Sequence, residues 1–224
     1  MPNRTGDANI SDQAVRTKTG NGWDEWFRIL DRFDVKKHGH KAAAMHLSEK
    51  HGVSDWWCQM ITVQYERERG LRDVNERPDG YQLSVSRVIS APVGKAWDAF
   101  ATTSGLNAWF THDARQQFVE GGEYSNGDGD HGVFRKVNHH KNIRFTWNSK
   151  HHKPGSVVEV RFYPKGDDKC QVVLQHMKLA SKKEVDDLRE AWSWALDSLR
   201  SYLETGKGIR FEEWKKVTAR RGTR

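Results

Sequence analysis

Only two cysteines, Cys58 and Cys170, stand among the 224 residues. They are far apart and neither belongs to a Cys-x-x-Cys pair, which excludes a disulfide framework and a thiolate zinc site. No apolar run approaches the roughly 18 residues of a membrane span, and mean hydropathy is −0.88. The opening Met-Pro-Asn-Arg-Thr-Gly has no apolar stretch of the secretory kind, so the expected compartment is the cytoplasm. Nucleophile elbows, Walker loops and dinucleotide fingerprints are lacking, as are internal repeats and low-complexity tracts. A charge excess is also lacking over most of the chain. Residues 1–78 hold 13 Lys+Arg against 12 Asp+Glu, residues 79–206 hold 17 against 16, and residues 207–224 hold 7 against 2. The net +7 therefore describes a tail and not a basic face.

What the chain does have is aromatic side chains, 11% of it with 10 Trp, too many for a disordered polypeptide. Residues 1–18 show no apolar periodicity and are expected to be a flexible arm. Trp23, Trp26, Phe27, Leu30 and Phe33 follow the spacing of a helix with one buried face. A second helix is predicted from about Lys41 to Lys50, ended by His51-Gly52. A third starts at Ser54 or Asp55 and carries Trp56, Trp57, Met60, Ile61 and Tyr65. Residues 19–72 thus form a three-helix module, with a turn at Glu76-Arg-Pro-Asp-Gly80.

From Tyr81 the period falls to two. A strand through Leu83 and Val85 leads to short helices carrying Trp97, Phe100, Leu106, Trp109 and Phe110. Strands are predicted at about 114–124, 132–138, 142–148, 156–163 and 169–178, antiparallel because their connections are too short for crossovers. The last long helix runs from about Ser181 to Leu203 with a continuous apolar stripe. A basic tail, 207–224, follows; it could extend as a second amphipathic helix after the Gly206–Gly208 break, with Phe211 and Trp214 docked on the protein's own surface or, alternatively, with its charges on an anionic surface, nucleic acid or membrane.

This order, strand, two short helices, strand meander and long helix, resembles the α+β helix-grip fold of the START-like superfamily over residues 81–205. Within it the residues look like the activator-of-heat-shock-protein-ATPase-homologue branch. The matching pieces are Ser86-Arg-Val-Ile-Ser-Ala-Pro92, Ala96-Trp-Asp-Ala-Phe100, Ala108-Trp-Phe110, Gly132-Val-Phe-Arg-Lys-Val137, Ile143-Arg-Phe-Thr-Trp147, Val172-Val-Leu-Gln-His176, and Trp194-Ala-Leu196 with Leu199-x-x-Tyr202-Leu203. Trp56-Trp57-Cys-Gln-Met60 and Tyr65-Glu-Arg-x-Arg-Gly70 are similar to an uncharacterised bacterial helical domain that precedes such domains. The resemblance implies a cavity between sheet and long helix and no fixed catalytic set. Some members of the branch bind lipids or polyketides, some act on them, and some bind proteins.

Strand parity puts Ile143, Phe145 and Trp147 on one face, as it does Val158, Val160 and Phe162, and Cys170, Val172, Leu174 and His176. Trp192 and Leu196 of the last helix close over them. The result is either a solid core or a ligand cavity. In a cavity, Trp109, Phe110, Phe145, Trp147 and Val160 are candidate ligand contacts, with Phe162, Leu174, Trp192 and Leu196, and His176 is the polar group at the mouth. The leading expectation is a non-catalytic protein holding a hydrophobic or aromatic small molecule, with no cofactor. The alternatives are a cyclase- or hydrolase-type enzyme using His176 with Arg135, and a co-chaperone-like protein-binding module.

Four other patterns carry less. Ser48 to Cys58 has helix-turn-helix spacing, but its second helix lacks phosphate-binding charge, so nucleic acid is not the expected partner. Asn126-Gly-Asp128-Gly-Asp130 lacks the Gly and Glu of a calcium loop and reads as a polar turn. His139-His140 and His151-His152, near the ends of adjacent strands, could approach each other, yet lysines flank them and no metal is expected. Trp23, Trp26, Trp56 and Trp57 are the expected contact residues if the helical module packs on the helix-grip domain, on a second copy or on a protein partner.

Overall fold

In a computed structural model, residues 10–73 and 75–221 are described, and the chain divides into two compact units at residues 74 and 75. The first unit is helical: α1 (Asp12–Thr19), α2 (Trp23–Phe33), α3 (Val35–His51) and α4 (Asp55–Glu68). Residues 12–18 therefore correct the expectation of an arm. Ser11 accepts from the Ala14 N–H at the start of α1. The Asp12 carboxylate accepts from the Trp23 N–H at 2.7 Å, capping α2. Only Val15 of α1 is buried, and one apolar position leaves no period to read. Residues 1–9 of that expected arm lie outside the described residues.

Helix α3 begins at Val35, ahead of the expected Lys41, because the Asp34 side chain accepts from the Lys37 N–H. Gly39, at φ 80°, kinks it and hides its period. Trp23 and Trp26, expected as contact residues, are 2% and 1% exposed and belong to the core. The Trp26 indole N–H donates to Thr19 Oγ1 at 2.7 Å. Trp56, by contrast, is 57% exposed, with Trp57 edge-on against it at 4.8 Å.

The second unit contains β1 (Glu76–Arg77), β2 (Gly80–Ile89), α5 (Val93–Ala101), α6 (Thr103–Trp109), β3 (Arg115–Gln116), β4 (Glu123–Ser125), β5 (His131–Asn138), β6 (Asn142–Trp147), β7 (Ser156–Pro164), β8 (Cys170–Leu179), α7 (Lys182–Thr205) and α8 (Phe211–Arg221). The strands make one antiparallel sheet in the order β1-β2-β8-β7-β6-β5-β4-β3. This is an α+β helix-grip architecture: α7 packs over β2 and β8, with α5 and α6 beside it. The single strand expected at 114–124 is two short ones, because Gly121, at φ 83°, turns the chain back between them.

Helix α7 is capped at both ends. Ser181 Oγ accepts from the Glu184 N–H, the Glu184 carboxylate accepts from the Ala180 N–H, and Gly206 at φ 82° closes the C-terminus. Val185, Leu188, Trp192, Ala195, Leu196 and Leu199 form its buried stripe. On its outer side Asp197 pairs with Arg87 of β2 at 2.8 Å and accepts from the Trp214 indole N–H of α8 at 3.0 Å. Most of the basic tail is thus the helix α8, seated on α7, while residues 222–224 lie outside the described residues.

Candidate functional site

The inner faces of β5–β8 and the ends of α6 and α7 leave space between them. Parity explains it: Ile143 and Trp147 of β6, Val158, Val160 and Phe162 of β7, and Cys170, Val172, Leu174 and His176 of β8 all point inward and are buried. A cavity of about 60 Å³ remains, with walls that include Val160, Leu174, Phe145, Phe134, Tyr124 and Trp192. A water needs roughly 10–15 Å³ of such volume, so the cavity alone admits a few waters or one small ring. It does not stop there. An open cleft of about 760 Å³ adjoins it, and Trp109, Phe110, Thr111, Asp130, Trp147 and Trp192 line both.

The aromatic rings between the two spaces are ordered by stacking. Phe110 lies parallel to Trp192 at 5.7 Å and 13°, and against Trp194 at 6.1 Å. Trp109 is fixed behind them by its indole N–H, which donates to Ala99 O at 3.0 Å. The polar groups sit at the rim. Asp128 accepts from the Thr111 hydroxyl at 2.5 Å and stands 3.5 Å from His112. Asp130 is half-buried, and desolvation pushes its carboxyl above the usual range against the hydrogen bond from Asn126. Deeper in, the Tyr124 hydroxyl donates to Thr146 O at 3.0 Å, and burial pushes its phenol upward.

His176 is fully buried beside this space and does not line it. The Trp192 indole N–H donates to His176 Nδ1 at 3.0 Å. Nδ1 is then an acceptor, so the ring proton sits on Nε2 and donates to Ser156 Oγ at 2.8 Å. Ser156 Oγ in turn donates to Trp147 O at 2.9 Å. Desolvation, with a smaller contribution from His152, pulls the His176 pKa down to about 3. This histidine is neutral, with both ring nitrogens occupied. Arg135 is exposed, and its neighbour Phe134 is buried on the other face of β5. The acid–base pair of the enzymatic alternative is therefore not assembled.

Of the other expected contacts, Trp109, Phe110, Phe145, Trp147, Val160, Leu174 and Trp192 border the cavity. Phe162 and Leu196 do not. Phe162 packs on Trp97 and Phe100, each at 5.4 Å, and Leu196 is closed in the core. The sequence reading missed Tyr124, Phe134 and Asp130. Phe134 was accessible through register, since it sits opposite Phe145. Asp130 belongs to the calcium-like turn, where Asn126 Oδ1 accepts from the Asp130 N–H at 2.9 Å. The two histidine pairs fall at opposite ends of β6, so they do not meet. His139 and His140 stack on each other at 3.8 Å near Trp97, while His152 lies against Trp147 at 5.3 Å. Among the described residues, no three His, Cys, Asp or Glu side chains gather as a metal set, and no helix is long and apolar enough to cross a membrane.

A sheet gripping a long C-terminal helix over an apolar cavity defines a START-like helix-grip protein. The chain belongs to the activator of Hsp90 ATPase homolog 1-like family, whose model matches residues 90–204. Among solved structures it is similar to CalU16 from Micromonospora echinospora, with 22% identity and a TM-score of 0.53, over 66% of this chain and 88% of that one. It is also similar to the Aha1 dimer from Colwellia psychrerythraea, with 22% identity and a TM-score of 0.51, over 57% of this chain and 98% of that one. At such identity these likenesses speak for the fold alone. Among curated proteins, no sequence matches the chain.

Proposed function

We propose that this chain is a non-catalytic, cytoplasmic binding protein that holds a hydrophobic or aromatic small molecule in the second unit. The observation that carries this reading is the continuity of cavity and cleft through Trp109, Phe110, Trp147 and Trp192. An apolar tip enters the cavity while the body of the ligand lies in the cleft, where the rim residues Thr111, Asp128 and Asp130 orient its polar atoms. The locked, neutral His176 favours binding over catalysis, because it has no free nitrogen to move a proton. The buried thiols of Cys58 and Cys170 suit a reducing compartment.

Native mass spectrometry of the purified protein for a retained molecule is the first test. Fluorescence titration with N-phenylnaphthylamine, an uncharged aromatic probe, is the second. Ala191 lines the cleft on α7, and Ala191→Trp fills it from a helix surface. The expected results are uptake of the probe by the wild type and at least about tenfold weaker uptake by the variant. No retained mass together with no uptake by the wild type overturns the reading and leaves the protein-binding class.

A further inference from the structure

The family match ends at residue 204, yet the cleft does not. Gly208, Ile209, Arg210 and Phe211 form its outer wall. This strap is seated by hydrogen bonds and by close approach. The Ile209 N–H donates to Ser198 Oγ at 2.9 Å, and that hydroxyl donates to Trp109 O at 2.6 Å. The Trp194 indole N–H donates to Ile209 O at 2.7 Å, and Phe211 packs edge-on to Trp194 at 5.4 Å. Gly208 lies so near α6 that a Cβ there would come within 2.6 Å of Ala108 O and 2.8 Å of Trp109 Cα.

Charge along the cleft is uneven. On one wall Asp128 is engaged by Thr111 and His112, and burial raises the Asp130 carboxyl above its ordinary value. On the strap, Arg210 is exposed. Two carboxylates of α7 already have partners, Asp197 in Arg87 and Arg200, and Glu190 in Lys215. Among the described residues lining the cleft Arg210 is the only lysine or arginine, and it directly precedes Phe211 in the strap.

We propose that residues 207–211 are part of the ligand site and make it selective for aromatic molecules with an anionic end, held beside Arg210. This rests on the small-molecule reading above and names its ligand class. The aromatic body lies against Phe110, Trp194 and Phe211. The anion faces Arg210, away from Asp128.

Two probes with one ring system separate the two claims. Anilinonaphthalene sulfonate carries the anion, and N-phenylnaphthylamine does not. Arg210→Gln is expected to weaken the sulfonate about fivefold, the upper range for an exposed ion pair, and to leave the neutral probe within about twofold. Gly208→Val, which pries the strap from α6, is expected to weaken both probes. Equal effects of Arg210→Gln on the two probes, or no effect on the sulfonate, overturn the anion preference while the binding site stands. Unchanged binding of both probes by Gly208→Val overturns the strap's part in the site. A wild type that takes up neither probe removes the underlying reading, and this one with it.

Discussion

The two units each hold a histidine in a polar cluster, by opposite means. In the helical unit His40 Nδ1 lies 3.1 Å from both Glu66 carboxylate oxygens, and Nε2 lies 2.8 Å from Gln59. Arg72 Nε reaches the same carboxylate at 2.6 Å. The hydrogen bond that His40 donates to Glu66 outweighs partial burial and raises the His40 pKa. In the helix-grip unit His176 has no carboxylate partner and is wholly enclosed, and desolvation drives its pKa down to about 3. One unit invites the proton and the other refuses it. The difference follows from depth. A charge at the edge of a small helical module keeps some hydration, whereas one beneath α7 has none.

The strongest way to break this contrast is to open the enclosure. Trp192 is 6% exposed and supplies the indole N–H to His176 Nδ1. Trp192→Ala is expected to destabilise the helix-grip unit by about 4 kcal/mol, from a large cavity and an orphaned acceptor. Trp192→Phe keeps most of the volume and is expected to cost about 1–2 kcal/mol. Hydrogen exchange in β8 and α7 reads both. A Trp192→Ala loss below about 1 kcal/mol would show that the indole bond does not hold the site.

The contrast sharpens with pH. His176 has a folded pKa below its unfolded value, so the unfolded chain binds the extra proton between about pH 6.5 and 3. The stability of the helix-grip unit is therefore full above about pH 6.5 and falls by about 1.4 kcal/mol per pH unit below it. That amounts to about 2 kcal/mol by pH 5. His176→Gln is expected to flatten this slope, and equal slopes in the two proteins would refute the assignment. His40 works the other way. Its raised pKa adds stability that is complete below about pH 6.5 and is lost as pH rises through the folded pKa. His46 in the same unit is lowered by burial and by His51, so the helical unit's net response is blunted.

A smaller change tests the helical side alone. Glu66→Gln removes the charge that His40 and Arg72 share. The expected cost is about 1–2 kcal/mol near neutral pH, because the amide keeps an acceptor for one of them. The clearer readout is the His40 titration by NMR. Its midpoint should fall toward the ordinary histidine value, and an unmoved midpoint would mean that Glu66 is not the cause.

These two clusters were not equally legible from the residues. His176 lies on β8, whose alternation of Cys170, Val172 and Leu174 puts it inside, so its burial followed from a period of two. Its partners did not. Ser156 belongs to another strand and Trp192 to α7, and only register and packing bring them together. The same limit applies to the cavity. Parity named Val160 and Leu174, but cavity depth depends on how Phe110 stacks on Trp192 across two helices. The His40 cluster left no trace at all, because His40, Gln59, Glu66 and Arg72 are joined only by the fold. The helix-grip class was legible because seven short pieces in order outweigh any one of them. Helix α1 was not, because what holds it is the Ser11 cap, the Asp12 bond to the Trp23 N–H of α2 and one buried Val15.

The smallest expected effect concerns tryptophan and divides the helical unit against itself. Trp26 is 1% exposed, donates to Thr19 Oγ1 and lies edge-on to His51 at 5.5 Å. Trp56, on the first turn of α4, is 57% exposed and its ring touches Trp57. Burial is what makes a large ring stabilising, at roughly 25 cal/mol for each Å² removed from water. Trp56 gains little of that in the isolated chain. Trp56→Ser is therefore expected to change stability by no more than about 0.5 kcal/mol in thermal or urea unfolding, despite the loss of an indole. A loss near that of a core tryptophan, about 3 kcal/mol or more, would mean that Trp56 is covered in solution. Sedimentation of the same variant then decides what covers it: a mass that falls to the monomer assigns the cover to a second copy, and an unchanged monomer mass assigns it to the chain itself.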